Sequence, residues 1–139
     1  MGQNMLKNKI IIDIMELKEG TLNKYIEAER KNRFKASKMK KKLTEKMRAV
    51  FLQALVDDNV PDWPAKIKCD WYLPDERLDP DNWAFTMKFI LDGAQLAKYG
   101  GKVFLARDSF KNIKGFDHDM FIDRKNPRLE FYIVENANL

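Results

Sequence analysis

Hydrophobic residues at every second position predict two β-strands. In residues 65–73, "AKIKCDWYL", apolar side chains run from Ile67 to Leu73 at alternate positions, which is the pattern of a strand with one buried face. The same alternation recurs in residues 129–133, after a loop at "DRKNP". The Ile-rich opening, "KNKIIIDIMEL", predicts a third strand that leaves through a glycine turn.

Apolar residues four positions apart predict a long helix before the central strand. From about Lys35, such residues recur from Met39 to Leu55, and lysines line the other faces. A second helix is predicted from about Pro80 to Lys98, ending at the glycine pair that follows. After it, "KVFLA" predicts a short strand or an extended segment that leads into the rest of the chain. One segment stays open, because "TLNKYIEAERKNR" fits either a helical turn or an irregular loop.

Strands and helices mixed in this way predict a single small α/β or α+β domain over residues 1–139, with a mixed sheet of about four strands packed against two main helices. The length and a hydrophobic content of 45% suit one core. No apolar run approaches the roughly 20 residues that span a bilayer, so we expect a cytoplasmic protein with no membrane partner. The single cysteine, Cys69, allows no internal disulfide or cysteine zinc cluster and is expected to fill the core.

Positive charge is concentrated in one segment. Residues 30–48 hold ten Lys and Arg against one Glu, whereas the rest of the chain holds 16 basic and 20 acidic residues. Clustering of this kind indicates either a solvated helix face or a phosphate-binding surface. The residues expected to contact nucleic acid are Arg30, Lys31, Arg33, Lys35, Lys38, Lys41 and Lys42.

The stretch "RLDPDNWAFTMKFILDG", residues 77–93, admits two interpretations. Asp79 can be a helix N-cap, with Pro80 at the first helical position and Asp81 in the first turn, where the helix dipole favours negative charge. Alternatively, carboxylates two residues apart on an extended chain point the same way and can share a hard cation. A metal-dependent hydrolase would need at least one more carboxylate from elsewhere in the chain.

Lys88, further along the same predicted helix, also has two possible roles. It shares a face with Asp81 and Asp92, so it can pair with Asp92 one turn later. A helical side chain leans toward the N-terminus, so Lys88 can also reach most of the way back toward Asp81.

Other kinds of catalytic or cofactor site have less support in the sequence. His118 is the only histidine and has no partner at metal-ligand spacing, so it is expected to be a surface loop residue. No serine lies in a recognisable nucleophile turn of a Ser-His-Asp triad. The "GGK" at residues 100–102 lacks the rest of a phosphate-binding loop, so no nucleotide cofactor is expected.

Four motifs, in this order, resemble those of the RusA family of Holliday junction resolvases, particularly its phage-encoded branch. They are "RLDPDN", "KFILDG", "ARDSFKNIKGF" and "NPRLEFYIVE". The earlier "TLNKYIEAERKNRFKASKMKKK" is similar to the N-terminal part of that branch, so the resemblance covers about residues 9–135. It implies a RusA-like fold in a bacterial cytoplasmic protein, with a phage or prophage gene as one origin.

The resemblance implies a catalytic site of three aspartates and a lysine. The first two aspartates fall on Asp79 and Asp81, and the lysine falls on Lys88 if the helix carries three more residues than the bacterial type. The third falls on Asp108, which is preceded by an arginine where the family often has a second acid. Asp119 in "FDHDMF" is a rival for that place.

The activity implied by the resemblance is Mg²⁺-dependent hydrolysis of DNA phosphodiesters, with Mn²⁺ as the alternative metal. Asp79, Asp81 and Asp108 would be the ligands, and Lys88 would lie near the scissile phosphate. Resolution of a four-way junction by paired nicking, in recombination and repair, implies a homodimer. Two alternatives stay open: a basic DNA-binding module without cleavage, and a nuclease of the same fold that cuts branched or flap DNA.

Overall fold

The computed structural model describes residues 6–135, and the side chains of residues 9–134. This range contains six strands, four α-helices and one 3-10 helix. The strands are β1 (Leu6–Ile12), β2 (Ala65–Leu73), β3 (Lys98–Tyr99), β4 (Lys102–Val103), β5 (Ile113–Ile122) and β6 (Arg128–Glu135). The helices are α1 (Leu22–Lys31), α2 (Arg33–Val56), α3 (Pro80–Ala84) and α4 (Met87–Leu96), and the 3-10 helix is Ile14–Gly20.

Four of the strands form one mixed sheet in the order β1-β6-β2-β5. β6 runs antiparallel to both of its neighbours, whereas β5 runs parallel to β2. Parallel neighbours need a long crossover connection, which here contains α3, α4 and the small β3-β4 hairpin. The predicted small α+β domain with a four-stranded mixed sheet is confirmed, and residues 77–93 lie on its crossover.

Helices α2 and α4 cover one face of this sheet. β2 alternates buried and partly exposed side chains as predicted, and it buries Cys69 and Trp71 completely. The Phe51 ring of α2 meets Phe131 of β6 edge-on with centroids 5.7 Å apart, and the sulfur of Met87 on α4 lies 3.9 Å from that of Cys69. Burial raises the pKa of the Cys69 thiol to about 12, so this side chain is a protonated part of the core, as predicted.

α2 and α4 approach each other most closely at Gly93. A Cβ built on Gly93 would lie 2.6 Å from the Cβ of Met47 and 2.6 Å from the backbone nitrogen of Arg48. Real Cβ atoms do not make such contacts, so a glycine is needed at this crossing. The close approach places Asp92, the residue before Gly93, against the lysine-rich helix.

The second predicted helix is divided in two and ends earlier than predicted. A turn at Phe85 and Thr86 separates α3 from α4, and the Thr86 hydroxyl donates a hydrogen bond to the Trp83 carbonyl at 2.6 Å. The helix then stops at Leu96. The glycine pair instead forms the turn of the β3-β4 hairpin, with φ of +57° and +79°, as a two-residue hairpin turn of mirror-image type requires.

Strand β5 was not predicted, and the placement of His118 in a loop was wrong. His118 lies within this edge strand, where its Nδ1 accepts a hydrogen bond from the Trp71 indole at 2.9 Å. Its ring also stacks on Phe116, with centroids 5.9 Å apart. Burial lowers the pKa of His118, with the neighbouring aspartates acting in the opposite direction.

The segment "TLNKYIEAERKNR", for which the sequence allowed a helical turn or a loop, is mostly helical. Residues 22–31 form α1, and α2 begins at Arg33, slightly before the predicted start. β1 is confirmed as a strand, but a 3-10 helix follows it in place of a simple glycine turn. Within residues 6–135, none of the helices combines the length and apolar character needed to span a bilayer.

Candidate active site

Asp79 occupies the N-cap position of α3, but its side chain makes no capping hydrogen bond. Its backbone is extended, with φ of −65° and ψ of 153°, as the following proline requires. Elsewhere the chain does cap with side chains: Asp13 accepts from the N–H of Met15 at 3.0 Å, and Asn32 accepts from that of Phe34 at 2.8 Å. Capping therefore does not account for the Asp79 carboxylate.

Asp81 lies in the first turn of α3 and is exposed, like Asp79. Within the part of the chain that the structure describes, neither carboxylate makes a hydrogen bond or an ion pair. Mg²⁺ is commonly held by one or two carboxylates, several waters and substrate phosphate oxygens. Asp81 is helical, so the extended-chain geometry expected for the two carboxylates was wrong. All four carboxylate oxygens are nevertheless available to a hard divalent cation.

The segment that carries these two aspartates is fixed in place by its neighbours. Asn82 is only 4% exposed, and its Oδ1 accepts the backbone N–H of Asn23 at 3.0 Å. This bond satisfies one of the open N–H groups at the start of α1, whose own N-cap, Thr21, makes no side-chain capping bond. Trp83 is buried beside it. No role was predicted for Asn82, and its partner lies 59 residues away, so no local signal could have found this bond.

Asp79 also borders a groove of about 250 Å³ between the ends of β2 and β5. Apolar side chains including Leu73, Met120 and Ile122 form part of its wall, and Asp75 lies on the same rim. The groove therefore opens the Asp79 side of α3 to solvent and to a ligand.

Lys88 lies in the first turn of α4 and is exposed. Its ammonium makes no ion pair with any described residue, and in particular none with Asp92 one turn later. The pairing that offered a structural role for Lys88 is thus absent in the described part of the chain. The turn at Phe85 and Thr86 lies between Asp81 and Lys88, so the two residues are not on one continuous helix as predicted.

Asp108 lies on the loop between β4 and β5 and approaches α4 from the side. Its backbone N–H donates to the Oε1 of Gln95 at 3.2 Å. Partial burial, and secondly the negative charge of Asp92, raise the pKa of the Asp108 carboxyl. The structure therefore brings Asp108 near Asp92, a residue that the sequence suggested only as a partner of Lys88.

The predicted three-aspartate ligand set is not gathered into one cluster. In residues 6–135, no group of three or more His, Cys, Asp or Glu side chains is placed to hold a metal ion. Two pairs are present instead: Asp79 with Asp81 at the start of α3, and Asp92 with Asp108 beside α4. Lys88 lies between the two pairs in sequence, in the first turn of α4.

Asp119, the rival to Asp108, lies on β5 on the sheet face that α2 and α4 do not cover. Its Oδ2 accepts from the Lys68 ammonium at 3.1 Å, and the same ammonium donates to Asp70 at 2.9 Å. Lys68 and Asp70 alternate along β2 with the buried residues of the core face. Asp119 is therefore engaged in an ion network on the far side of the sheet from α4.

The basic segment extends from the end of α1 through the first half of α2. Only Lys31 among its predicted DNA contacts has an ion-pair partner in the described chain, Glu27 at 2.9 Å. The other six charges are exposed and have no ion-pair partner among the described residues, which leaves them available to phosphates: Arg30, Arg33, Lys35, Lys38, Lys41 and Lys42.

A groove of about 490 Å³ lies between α2 and α4. It runs between lysines of the basic segment and Asp92 of α4. Its lining from α2 is Ser37, Lys40, Lys41, Thr44 and Glu45, and its lining from α4 is Asp92, Gln95 and Leu96. Gln95 is the residue that holds the Asp108 loop. Gln95 and Lys40 were not among the predicted site residues, because their role depends on how two helices cross.

Comparisons with protein-family models, with curated proteins and with solved structures find no match to this chain. The resemblance to RusA resolvases therefore rests on the sequence motifs alone. Any proposal of function rests on these motifs and on the geometry of the site.

Proposed function

We propose that this protein is a metal-dependent endodeoxyribonuclease that resolves four-way DNA junctions by paired nicking. The observation that carries the proposal is the pair of exposed, unengaged carboxylates of Asp79 and Asp81 at the start of α3. A helix that needed only a cap and a favourable dipole would use the Asp79 oxygens on its own N–H groups. The basic segment at the end of α1 and along α2 supports a polyanionic substrate.

Each residue of the proposed site has a distinct task. Asp79 and Asp81 would hold Mg²⁺, or Mn²⁺ in its place. Asp108, which lies near Asp92 and is not gathered with them, is the third ligand on the sequence resemblance only. The ion, when bound, supplies an activated water and stabilises charge on the leaving oxygen. Lys88, with no ion-pair partner in the described chain, places a positive charge against the scissile phosphate, where negative charge develops in the transition state.

DNA binding is assigned to the basic segment. Its exposed charges track the phosphate backbones, so affinity falls with salt and is largely independent of sequence. Two symmetry-related nicks need two active sites, and a twofold homodimer supplies them on a near-twofold junction.

A DNA-binding module without cleavage is the second candidate. It is favoured by the finding that no three metal-ligating side chains cluster in residues 6–135. A nuclease that cuts flaps or branched DNA in general would use the same residues and differ only in the shape of the DNA that it selects.

Substitution of Asp81 tests the site. Because a bound metal contributes several kcal/mol of transition-state stabilisation, Asp81→Asn should reduce Mg²⁺-dependent nicking of a synthetic junction at least ~100-fold. Binding, measured by gel shift, should be retained because the basic segment is unchanged. Asp117→Asn, the same change at an exposed aspartate of β5, is the matched control and should nick at the wild-type rate.

The outcomes separate the candidates. Nicking that survives Asp81→Asn contradicts the site assignment, and binding by the wild type without any nicking favours the module. Equal cleavage of a junction, a flap and a linear duplex with the same arms contradicts junction selectivity.

A further inference from the structure

Phe110 is an exposed aromatic ring beside a proposed active-site residue. Its side chain is 80% exposed, and among the large apolar side chains of residues 9–134 only Phe34, at 84%, is more exposed. It lies two residues after Asp108, at a position that the core does not use. The ring is therefore free to contact a ligand beside the proposed site.

The loop holds Phe110 in a defined position. The N–H groups of Asn112 and Ile113 both donate to the Ser109 carbonyl, at 3.0 and 2.8 Å, which makes Phe110 a corner residue of a hydrogen-bonded turn. The Asn112 side chain donates to the Arg107 carbonyl at 2.9 Å, and Gln95 of α4 holds the Asp108 end of the loop. A side chain presented on a braced turn loses little conformational freedom when it binds.

Positive charges surround the ring. The Lys114 ammonium lies 4.1 Å from the ring centroid of Phe110, a cation–π contact. Arg107 and Lys111 flank the ring in sequence, and none of these three cations has an ion-pair partner among the described residues. An exposed aromatic ring among unpaired cations is the combination that binds an unpaired nucleobase together with its flanking phosphates. An apolar protein partner would gain nothing from the cations.

We propose that Phe110 stacks on an unpaired base at the branch point of DNA, and thereby selects DNA whose bases are unstacked next to the phosphate to be cut. This inference rests on the proposed action on branched DNA, and it names the feature of the substrate that the site reads. Linear duplex presents no unstacked base, so Phe110 contributes to junction binding and not to duplex binding.

Affinity measurements on a junction and on a duplex with the same arms test the inference. Phe110→Ala should weaken junction binding about 5- to 100-fold, the range for loss of one base–aromatic stack, and leave duplex binding unchanged. Phe110→Trp should restore the junction affinity, whereas Phe110→Leu, which is apolar without a π-face, should not. Phe116→Ala is the control, since this ring is also exposed but lies on β5 between Gly115 and Asp117 instead of between cations, and the change should not lower the junction-to-duplex ratio.

Equal losses on both substrates with Phe110→Ala would overturn the proposal, as would the same junction-specific loss with Phe116→Ala. Photocrosslinking of wild-type protein to a junction with 5-iododeoxyuridine at the branch point should yield a peptide modified at Phe110. If the protein cuts the junction but Phe110 is never modified, the stacking fails while the proposed nuclease function stands. Crosslinking at Phe110 without cutting supports the stacking and contradicts the nuclease, and a protein that neither binds nor cuts the junction overturns both.

Discussion

Asp79 shows at the scale of one residue how two functions can compete for the same atoms. Its position, before a proline at the first turn of α3, suits a cap. Its oxygens accept no N–H from that turn, although Asp13 and Asn32 do accept such bonds in the same chain. The carboxylate therefore remains available for a ligand, and its position is explained better by binding than by capping.

Because Asn32 caps a helix and Asp79 does not, alanine substitutions at these two residues should have opposite effects on stability and on nicking. Asn32→Ala should lower the free energy of unfolding by about 1 kcal/mol, because it removes a side-chain cap, and should leave nicking unchanged. Asp79→Ala should change stability by less than about 0.5 kcal/mol and eliminate nicking. Urea midpoints and junction nicking by the two purified variants are the measurements. A larger loss of stability for Asp79→Ala than for Asn32→Ala would show that Asp79 is a structural cap.

The approach of Asp92 to Asp108 could not be predicted from the sequence. The two residues are 16 positions apart, and their proximity depends on how the loop folds back onto α4 through Gln95. Motifs and residue spacing predict which residues are neighbours on one helix or strand, such as Asp79 and Asp81. They do not predict a contact that forms when a loop packs on another element.

At the scale of elements, the crossing of α2 and α4 positions the candidate site. Gly93 allows the two helices to touch, and the groove between them joins lysines of α2 to Asp92 and Gln95 of α4. This helix pair therefore carries the proposed phosphate contacts of α2 and, on α4, Lys88, whereas Asp79 and Asp81 lie on the preceding helix α3. The separation of α2 and α4 depends on the lack of a side chain at Gly93.

Gly93→Ala should destabilise the protein even though alanine is the better helix former. The gain in helix propensity is about 1 kcal/mol, whereas the added methyl meets the α2 backbone, and overpacking of this kind costs typically 1–3 kcal/mol or more. We expect a net loss in the free energy of unfolding, measured by urea denaturation. Gly115→Ala is the control, because its Cβ would lie 3.6 Å from the nearest atom, in the Lys66 side chain. Unchanged or higher stability for Gly93→Ala would contradict the close crossing.

Elements with a strong pattern were predicted, and those shaped by their surroundings were not. β2 was predicted because one of its faces is buried along its whole length. β5 was missed because it is an edge strand, mostly exposed on both faces, so its side chains carry no alternation. The break before α4 depends on the buried Thr86 hydroxyl and its bond to the Trp83 carbonyl, which helical periodicity does not reveal.

At the scale of the whole molecule, charge is divided between two regions that meet at one groove. The basic segment supplies exposed cations for phosphates, and the crossover between β2 and β5 supplies the aspartates and Lys88. A phosphodiester backbone drawn to the first region would lie next to the second.

The proposed function requires that the protein cut a four-way junction with a metal ion held by Asp79 and Asp81. A synthetic junction labelled on each strand in turn is incubated with wild-type protein in Mg²⁺, in Mn²⁺ or in EDTA. We expect nicks at symmetry-related positions in two opposing strands, in the presence of metal only. Binding without nicks in either metal, or equal cutting in EDTA, would contradict it.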